Sequence, residues 1–379
     1  MIYFKTDGLN VGYNGKILIH NINISIEKGK ILTLIGPNGA GKSTILKSIT
    51  RHLAKISGSV FVEEQNVDQL TNRQLAKKVA VVLTDRIRPE LMTCEEIVAM
   101  GRYPYTNALG RLTAEDRTIV RRALQAVQAV DLADRDFTTL SDGQRQRIML
   151  ARALCQETDI IVLDEPTAYL DIRHKIDLLN ILRKMTRTKG ITVIMSLHEI
   201  DLASKISDYL ICVKGDRIDR FGPPEEILSG NAVDALYDIS NGSYNQMFGS
   251  VELRRPEGPP DVFVIGGAGY GIPCYRALQK AEIPFAAGIV PVNDLDYPIA
   301  CALGSEVFAS PAYEPAAEDV WRGAAGCLAR AGAVLYSGVP FGRFNGDSAR
   351  LLKRAEEEKI PVYRDVHRYI EARNQACAF

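Results

Sequence analysis

The chain lacks several features that would each assign it to a particular class of protein. No run of 18 apolar residues occurs among its 379 residues, so no membrane-spanning helix is predicted. Lys and Arg total 46, as do Asp and Glu, and the basic excess of nucleic-acid binders is therefore missing. We expect no nucleic-acid partner. The N-terminus has no basic segment followed by an apolar one, so no secretion signal is predicted.

Cysteine is sparse, and its spacing indicates neither a disulfide framework nor a metal site. The seven cysteines include no C-x-x-C pair. Ordinary thiols of this kind suit a reducing cytosol. We therefore expect no structural metal and no disulfide.

Length and composition favour two folded domains. Hydrophobic residues make up 46% of the chain and charged residues 24%, which is typical of globular proteins, and domains usually span about 100–200 residues. The clearest break is a stretch rich in Gly, Pro and Asn. We predict a first domain over 1–240, a linker over 241–260 and a second domain over 261–379.

Hydrophobic periodicity predicts an α/β fold for the first domain. Alternating apolar residues favour strands at Leu9–Tyr13 and Asn21–Ile26, and the apolar run Lys30–Ile35 favours a buried strand. The remaining predicted elements are strands at 159–164 and 191–196 and helices over 42–53, within 114–155 and over 171–188.

A glycine-rich turn follows the buried strand. The segment Gly36-Pro-Asn-Gly-Ala-Gly-Lys-Ser43 fits G-x-x-x-x-G-K-[ST] and opens a predicted helix. Glycines let backbone N–H groups converge on phosphate oxygens, and the helix N-terminus adds positive potential. Lys42 would reach the β- and γ-phosphates, and the Ser43 hydroxyl would bind Mg²⁺. A glycine turn that merely opens a helix is the alternative.

Two further motifs place polar side chains at the end of a predicted strand and at the start of a predicted helix. The strand 159–164 ends in Asp164 and Glu165, where one carboxylate could hold Mg²⁺ and the other could polarise the attacking water. The alternative is a solvated strand end. Ser141 and Gln144 have S-x-x-Q spacing, which predicts a capping box at a helix whose N-terminus could face phosphate. The alternative is a capped helix with no further role.

In this order the three motifs resemble those of ATP-binding cassette (ABC) ATPases, and the resemblance covers about residues 1–240. The segments Ala168–Asp171 and Ser196–His198 also fall in family order. The resemblance implies an ABC-type P-loop nucleotide-binding domain with a helical subdomain, ATP and Mg²⁺ as cofactors, and Tyr13 stacked on adenine. It implies Glu165 and His198 as catalytic residues and Ser43 and Asp164 as Mg²⁺ ligands. The residues expected to bind nucleotide are Tyr13, Gly36, Asn38, Gly39, Gly41, Lys42, Ser43, Thr44, Asp85, Ser141, Gly143, Gln144 and Asp171.

The resemblance also implies a partner. Two cassettes of this family meet head to tail, so that Ser141, Gly143 and Gln144 of one complete the ATP site of the other, and Asp171 acts across the interface. The chain has a single P-loop, so we expect the partner to be a second copy.

Two positions depart from the family pattern. Asp142 stands in the signature where Gly is commonest, and we expect its carboxylate to face away from phosphate. Asp85 stands where the family usually has the Gln that links Mg²⁺ and the attacking water to the permease. Asp85 is shorter and charged, so coupling through it is an open question.

The segment Met100-Gly-Arg-Tyr-Pro-Tyr105 resembles that of importers for iron chelates, haem and cobalamin, as does Ser196–Ala203. This resemblance implies integral membrane permease subunits as partners, docked against residues 85–105. It further implies a location at the cytoplasmic face of the membrane and an extracytoplasmic substrate-binding protein acting indirectly. A soluble ABC ATPase without a permease and an exporter ATPase are the alternatives.

The second domain shows strands alternating with helices, which predicts a doubly wound, Rossmann-like parallel sheet. Its strands are predicted at Asp261–Ile265, Phe285–Val290, Glu306–Ala309, Ala333–Tyr336 and Pro361–Tyr363. The turn Gly266–Gly271 fails the G-x-G-x-x-G fingerprint. It is either a tight turn or a place where a ligand meets backbone N–H groups, which would give the domain a regulatory role.

Overall fold

The computed structural model describes residues 2–83, 91–107 and 109–377 of the chain. These residues form two compact units, of which the first ends at Tyr237 and the second begins at Asp238. Asp85, predicted to bind nucleotide, lies outside the described residues. Within the described ranges no helix is long and apolar enough to cross a membrane.

Strands of the first unit join, over the part that the structure describes, into one sheet of ten. In chain order they are β1 (Ile2–Tyr13), β2 (Lys16–Glu27), β3 (Ile31–Ile35), β4 (Ser57–Val62), β5 (Gln65–Asn66), β6 (Val79–Val82), β7 (Ile160–Leu163), β8 (Thr192–Ser196), β9 (Tyr209–Lys214) and β10 (Arg217–Gly222). Their order across the sheet is β5-β4-β1-β2-β10-β9-β3-β8-β7-β6. Pairing is antiparallel among β1, β2, β4 and β5 and parallel among β9, β3, β8, β7 and β6.

Helices of the first unit cover this sheet and build a separate cluster. They are α1 (Lys42–Ile49), α2 (Asn72–Lys78), α3 (Cys94–Ala99), α4 (Ala114–Ala126), α5 (Asp142–Cys155), α6 (Ile172–Lys189), α7 (Ile200–Ile206), α8 (Pro224–Ile227) and α9 (Ala232–Tyr237). The helices α3, α4 and α5 pack on one another, and each begins with a capping box. This cluster corresponds to the expected helical subdomain.

Three fully buried parallel strands position the candidate site. All residues of β3, β7 and β8 are buried, which agrees with their continuous apolar runs. The register pairs Leu34 with Ser196 and Leu163 with Met195. Because parallel strands end at the same edge of a sheet, the residues that follow β3 and β7 lie close to the end of β8.

The second unit is a doubly wound parallel sheet, as predicted. Its described part contains strands β13 (Val262–Ile265), β14 (Phe285–Pro291), β15 (Glu306–Ser310), β16 (Ala333–Tyr336) and β17 (Val362–Tyr363), in the order β15-β14-β13-β16-β17. Its helices are α10 (Ile272–Lys280), α11 (Asp296–Leu303), α12 (Glu318–Arg330), α13 (Gly346–Glu357) and α14 (Val366–Cys377). Alternate β13 residues enter separate hydrophobic cores, since Val262 and Val264 join one and Phe263 and Ile265 the other.

A hairpin occupies part of the range predicted as a linker. Strands β11 (Gly242–Asn245) and β12 (Ser250–Leu253) pair antiparallel within the second unit. Glu252 is 4% exposed and forms an ion pair with Arg276 of α10. The hairpin is anchored by this ion pair and has little apolar periodicity, which is why the sequence pattern did not indicate it.

Candidate nucleotide-binding site

The glycine-rich loop begins where two backbones approach closely. Gly36 has φ of +147°, and a Cβ there would lie 2.2 Å from the carbonyl oxygen of Val213. Gly41, which precedes α1, has φ of +93°. Both positions need glycine, because other residues would be strained or would clash. Asn38 and Gly39, at the top of the loop, are exposed.

The Lys42 ammonium lies inside this loop. Its Nζ donates to the carbonyl oxygens of Gly36, at 2.8 Å, and Pro37, at 3.0 Å. Burial lowers the pKa of Lys42 below the ordinary lysine value, while the negative charges of Glu165 and Asp164 act in the opposite direction. The residue thus supplies a partly desolvated cation, which interacts strongly with an incoming phosphate.

A hydroxyl and a carboxylate lie side by side at the sheet edge. Ser43 Oγ donates to Asp164 Oδ1 at 3.0 Å, and Ser196 Oγ donates to the same atom at 2.8 Å. Hydroxyl and carboxylate oxygens are hard donors of the kind Mg²⁺ prefers. The described residues include no group of three or more His, Cys, Asp or Glu side chains suited to a metal. Ser43 and Asp164 therefore fit an ion that takes its other ligands from phosphates and water.

The carboxylate of Glu165 lies beside an imidazole. His198 Nε2 is 2.6 Å from Glu165 Oε1, and the Glu165 backbone N–H donates to Ser196 Oγ at 2.9 Å. Glu165 has φ of +49°, an uncommon conformation for a residue with a side chain. This arrangement places a proton acceptor next to the predicted phosphate and Mg²⁺ groups.

Tyr13 lies at the end of β1 with its side chain half exposed. Its hydroxyl is 3.1 Å from Thr44 Oγ1, which places the ring beside the first turn of α1. An aromatic ring held in this way offers a stacking surface for a base.

The signature segment caps α5. Gln144 N–H donates to Ser141 Oγ at 3.3 Å, and Ser141 N–H donates to Gln144 Oε1 at 3.1 Å, which is the predicted capping box. Asp142 is exposed and lies 3.5 Å from the Arg145 guanidinium. Among the described residues no hydrogen bond or ion pair joins Ser141, Gly143 or Gln144 to the glycine loop.

One histidine brings the signature helix and Asp171 together. Asp171 caps α6 by accepting from the His174 backbone N–H at 2.9 Å, and His174 Nδ1 lies 2.9 Å from the same carboxylate. The backbone hydrogen bond from His174 is the main cause that lowers the pKa of Asp171. A Cβ at Gly143 would lie 3.4 Å from the His174 ring. Two expected trans-acting groups are therefore adjacent in one chain.

Tyr237 is a contact of the loop that sequence reasoning missed. The Gly36 N–H donates to the Tyr237 hydroxyl at 3.2 Å, although 201 positions separate the two residues. Tyr237 is a lone tyrosine at the end of a short helix, and no motif marks it.

The glycine turn of the second unit is occupied by the chain's own carboxylates. Asp296 Oδ2 accepts from the N–H groups of Gly267, at 2.5 Å, and Gly271, at 2.8 Å. Asp294 accepts from the Ala268 N–H at 2.8 Å and 2.9 Å. The expectation that a ligand meets these N–H groups is therefore wrong, because their hydrogen bonds are already made and two carboxylates would repel an anion.

Asp296 is deeply buried beneath this turn. It is 0% exposed, and burial raises the pKa of its carboxyl group, whereas the hydrogen bonds from Gly271 and Gly267 act in the opposite direction. Tyr275 is equally buried. A Cβ at Gly271 would lie 2.4 Å from Asp296 Oδ2 and 2.6 Å from the Tyr275 hydroxyl, so the turn needs glycine for packing.

Comparisons with known proteins match both units. The family described as "ABC transporter" matches residues 19–168, and the MJ0874 family matches residues 285–376. An uncharacterised ABC transporter ATP-binding protein, MJ0873 of Methanocaldococcus jannaschii, is 41% identical over 285 residues, which are 75% of this chain and 98% of that protein.

Two further relatives are named for import. The probable siderophore transport ATP-binding protein YusV of Bacillus subtilis is 39% identical, over 63% of this chain and 87% of its own. The cobalamin import ATP-binding protein BtuD of Halobacterium salinarum is 32% identical, over 78% of this chain and 76% of its own.

The solved structures include a similar dimer. The dimeric post-hydrolysis state of the ATP-binding cassette MJ0796, bound to ADP and Pi, is 26% identical and has a TM-score of 0.52. The match covers 58% of this chain and 98% of that one.

Proposed function

This chain belongs to the family of ABC transporter ATP-binding proteins, and we propose that it powers the import of an iron chelate, haem or cobalamin through a separate membrane permease. The family hydrolyses ATP, and the relatives named for siderophore and cobalamin import support the choice of cargo. The observation that carries the proposal is the cluster of Lys42, Ser43, Asp164 and Glu165 at one sheet edge.

Each group of this cluster has a part in the proposed hydrolysis. Loop N–H groups and Lys42 bind the phosphates, and Mg²⁺, held by Ser43 and Asp164, would neutralise their charge. Glu165 orients and deprotonates the attacking water, which is typically worth about 10²–10⁴ in rate. His198, 2.6 Å from Glu165, holds that carboxylate toward the γ-phosphate. Tyr13 stacks on the adenine.

A homodimer supplies the rest of the site. The surface around Asp171 exposes three large apolar side chains: Tyr169 is 79%, Ile172 77% and Ile176 48% exposed. Exposed apolar patches of this kind mark interaction surfaces. We infer that a second copy covers this patch and brings its Ser141, Gly143 and Gln144 to the phosphates, as the similar dimeric cassette suggests.

The permease would dock beside the Met100–Tyr105 segment. A groove of about 490 Å³ opens there, and Arg51, His52, Tyr103 and Arg152 contribute to its walls. The nearby Arg102 is buried and fixes the segment, since it donates to Asp116 at 2.8 Å and to Glu157 at 2.9 Å. A rigid surface with charged walls suits a protein partner. The part of the predicted contact at 85–90 lies outside the described residues.

Import through a permease implies further expectations. We propose that the chain works at the cytoplasmic face of the membrane and that an extracytoplasmic substrate-binding protein delivers the cargo. A soluble ABC ATPase and an exporter ATPase remain the alternatives. Copurification of a permease separates transport from the soluble class, and dependence on a binding protein separates import from export.

The second unit is proposed to have a regulatory role. Its sheet places the loops after β13, β14 and β16 at one edge, where open α/β sheets bind ligands. Because the Gly267, Ala268 and Gly271 N–H groups are occupied, an effector at this edge would not be held through a phosphate at the turn. It would act only through different affinities for the open and closed dimer.

The decisive experiment is uptake into liposomes. The chain, a permease that copurifies with it and a binding protein are reconstituted, and ATP-dependent uptake is compared for a ⁵⁵Fe-siderophore, labelled haem and labelled cobalamin. We expect uptake of one of them that stops in Glu165→Gln. A chain that hydrolyses ATP with no permease bound and no uptake would contradict the transport proposal. A Ser141→Arg variant should bind ATP and yet fail to hydrolyse it, because the substitution disrupts the ATP site that Ser141 completes in the second copy.

A further inference from the structure

The last residue of the first unit contacts the first residue of the glycine-rich loop. The Gly36 N–H donates to the Tyr237 hydroxyl at 3.2 Å. Gly36 is buried, so this N–H has no ready substitute in water. On its other side Gly36 lies against the Val213 carbonyl, where a Cβ would approach to 2.2 Å. Gly36 is thus held between β9 and the phenol of Tyr237.

Gly36 is also an anchor of Lys42, the lysine proposed to bind phosphate. Its carbonyl oxygen accepts from Lys42 Nζ at 2.8 Å. The hydrogen bond that Gly36 donates to Tyr237 therefore acts on the residue that fixes the ammonium group. A small displacement of Gly36 would move the Lys42 anchor and the first turn of the loop together.

The helix that carries Tyr237 is firmly attached to the first unit. Val233 and Leu236 of α9 are each 2% exposed, and Lys214 of β9 contacts the carbonyl oxygen of Ala235. The chain enters the second unit at the next residue, Asp238.

We propose that Tyr237 is a positioning residue for nucleotide binding, acting through its hydrogen bond with Gly36. The inference rests on the proposed ATP site. Without the hydroxyl, the Gly36 N–H loses its acceptor and the loop is less well ordered for phosphate. Glu165 and His198 keep their contact, so affinity for ATP changes while the chemical step does not.

The test is Tyr237→Phe in the full chain. We expect the Kd and KM for MgATP to rise about three- to tenfold, because a buried N–H loses its hydrogen bond, while kcat stays within about twofold of wild type. Tyr209→Phe is the matched control, since its hydroxyl donates to Glu27 and does not contact the loop. A Tyr237→Phe variant with wild-type Kd and KM overturns the inference. A wild-type chain that binds no ATP overturns the proposed function itself.

Discussion

Two glycine-rich turns of this chain look alike in sequence and differ in what their N–H groups bind. Each follows a buried parallel strand and opens a helix, β3 and α1 at Gly36–Ser43 and β13 and α10 at Gly266–Gly271. At the second turn the chain's own carboxylates take the N–H groups of Gly267, Ala268 and Gly271. The first turn has Lys42 inside it and its top exposed. Glycine content therefore does not decide whether a turn can bind an anion.

The difference lies in the groups that the nearby carboxylates bind. Near the first turn, Asp164, which follows β7, accepts from the Ser43 and Ser196 hydroxyls. Near the second turn, the carboxylates after β14 accept directly from the turn. A carboxylate that accepts from side-chain hydroxyls leaves room for phosphate and a cation at the loop. A carboxylate that accepts from the backbone N–H groups of the turn takes the place of the phosphate.

Burial also acts on opposite charges at the two turns. It lowers the pKa of Lys42 at the first and raises the pKa of Asp296 at the second. A bound phosphate would compensate the buried cation. The buried carboxylate already has its donors, in Gly267 and Gly271, and gains nothing from an anionic ligand.

The largest expected effect distinguishes the proposed catalytic carboxylate, Glu165, from a structural one, Asp294. Glu165→Gln should lower ATP turnover at least about 100-fold while ATP binding persists, because an amide cannot accept the proton of water. Steady-state hydrolysis and equilibrium binding measure the two quantities. Asp294→Asn, at the second turn, is the matched control and should leave turnover unchanged. Near wild-type turnover in Glu165→Gln would show that Glu165 is not the base.

Removal of Asp296 tests the structural role. Asp296→Ala leaves the Gly267 and Gly271 N–H groups without an acceptor, and each buried orphan costs about 1–3 kcal/mol. The free energy of unfolding of the second unit, followed by the fluorescence of Trp321 in α12, should fall by about 2–6 kcal/mol. Asp296→Asn keeps an accepting oxygen and should lose less. Unchanged stability in Asp296→Ala would mean that the carboxylate does not support the turn.

The smallest effect is a pH dependence. The pKa of Asp296 is raised in the folded state, so the folded chain binds this proton more tightly than the unfolded chain. Stability from this group is complete below the unfolded pKa, about 3.9, and is lost as the pH rises through the folded value. Relative to Asp296→Asn, the wild-type second unit should therefore become less stable from pH 4 upward. A constant difference between the two chains across that range would contradict a raised pKa.

Local elements were predictable because periodic apolar runs and a short motif determine them. The strand predicted at Lys30–Ile35 is β3, and the predicted Ser141 cap is present. The fold of the second unit followed from repeated short apolar strands, of which β13 and β14 are buried on both faces.

Contacts between distant residues were not predictable from the same information. Asp296 meets Gly271 across 25 positions and Gly36 meets Tyr237 across 201. Whether a carboxylate reaches a turn depends on loop geometry that no sequence pattern encodes. Two turns of similar composition therefore led to similar hypotheses, and only the structure separated them.

The most direct test of this account is the number of nucleotides bound by each chain. Isothermal titration of the full-length protein with MgATP should give one site per chain, and Lys42→Ala should abolish it, because the Gly267, Ala268 and Gly271 N–H groups of the second turn are already bonded to Asp296 and Asp294. Asp294→Asn should still bind one ATP. A second ATP per wild-type chain, or binding that survives in Lys42→Ala, would contradict the account.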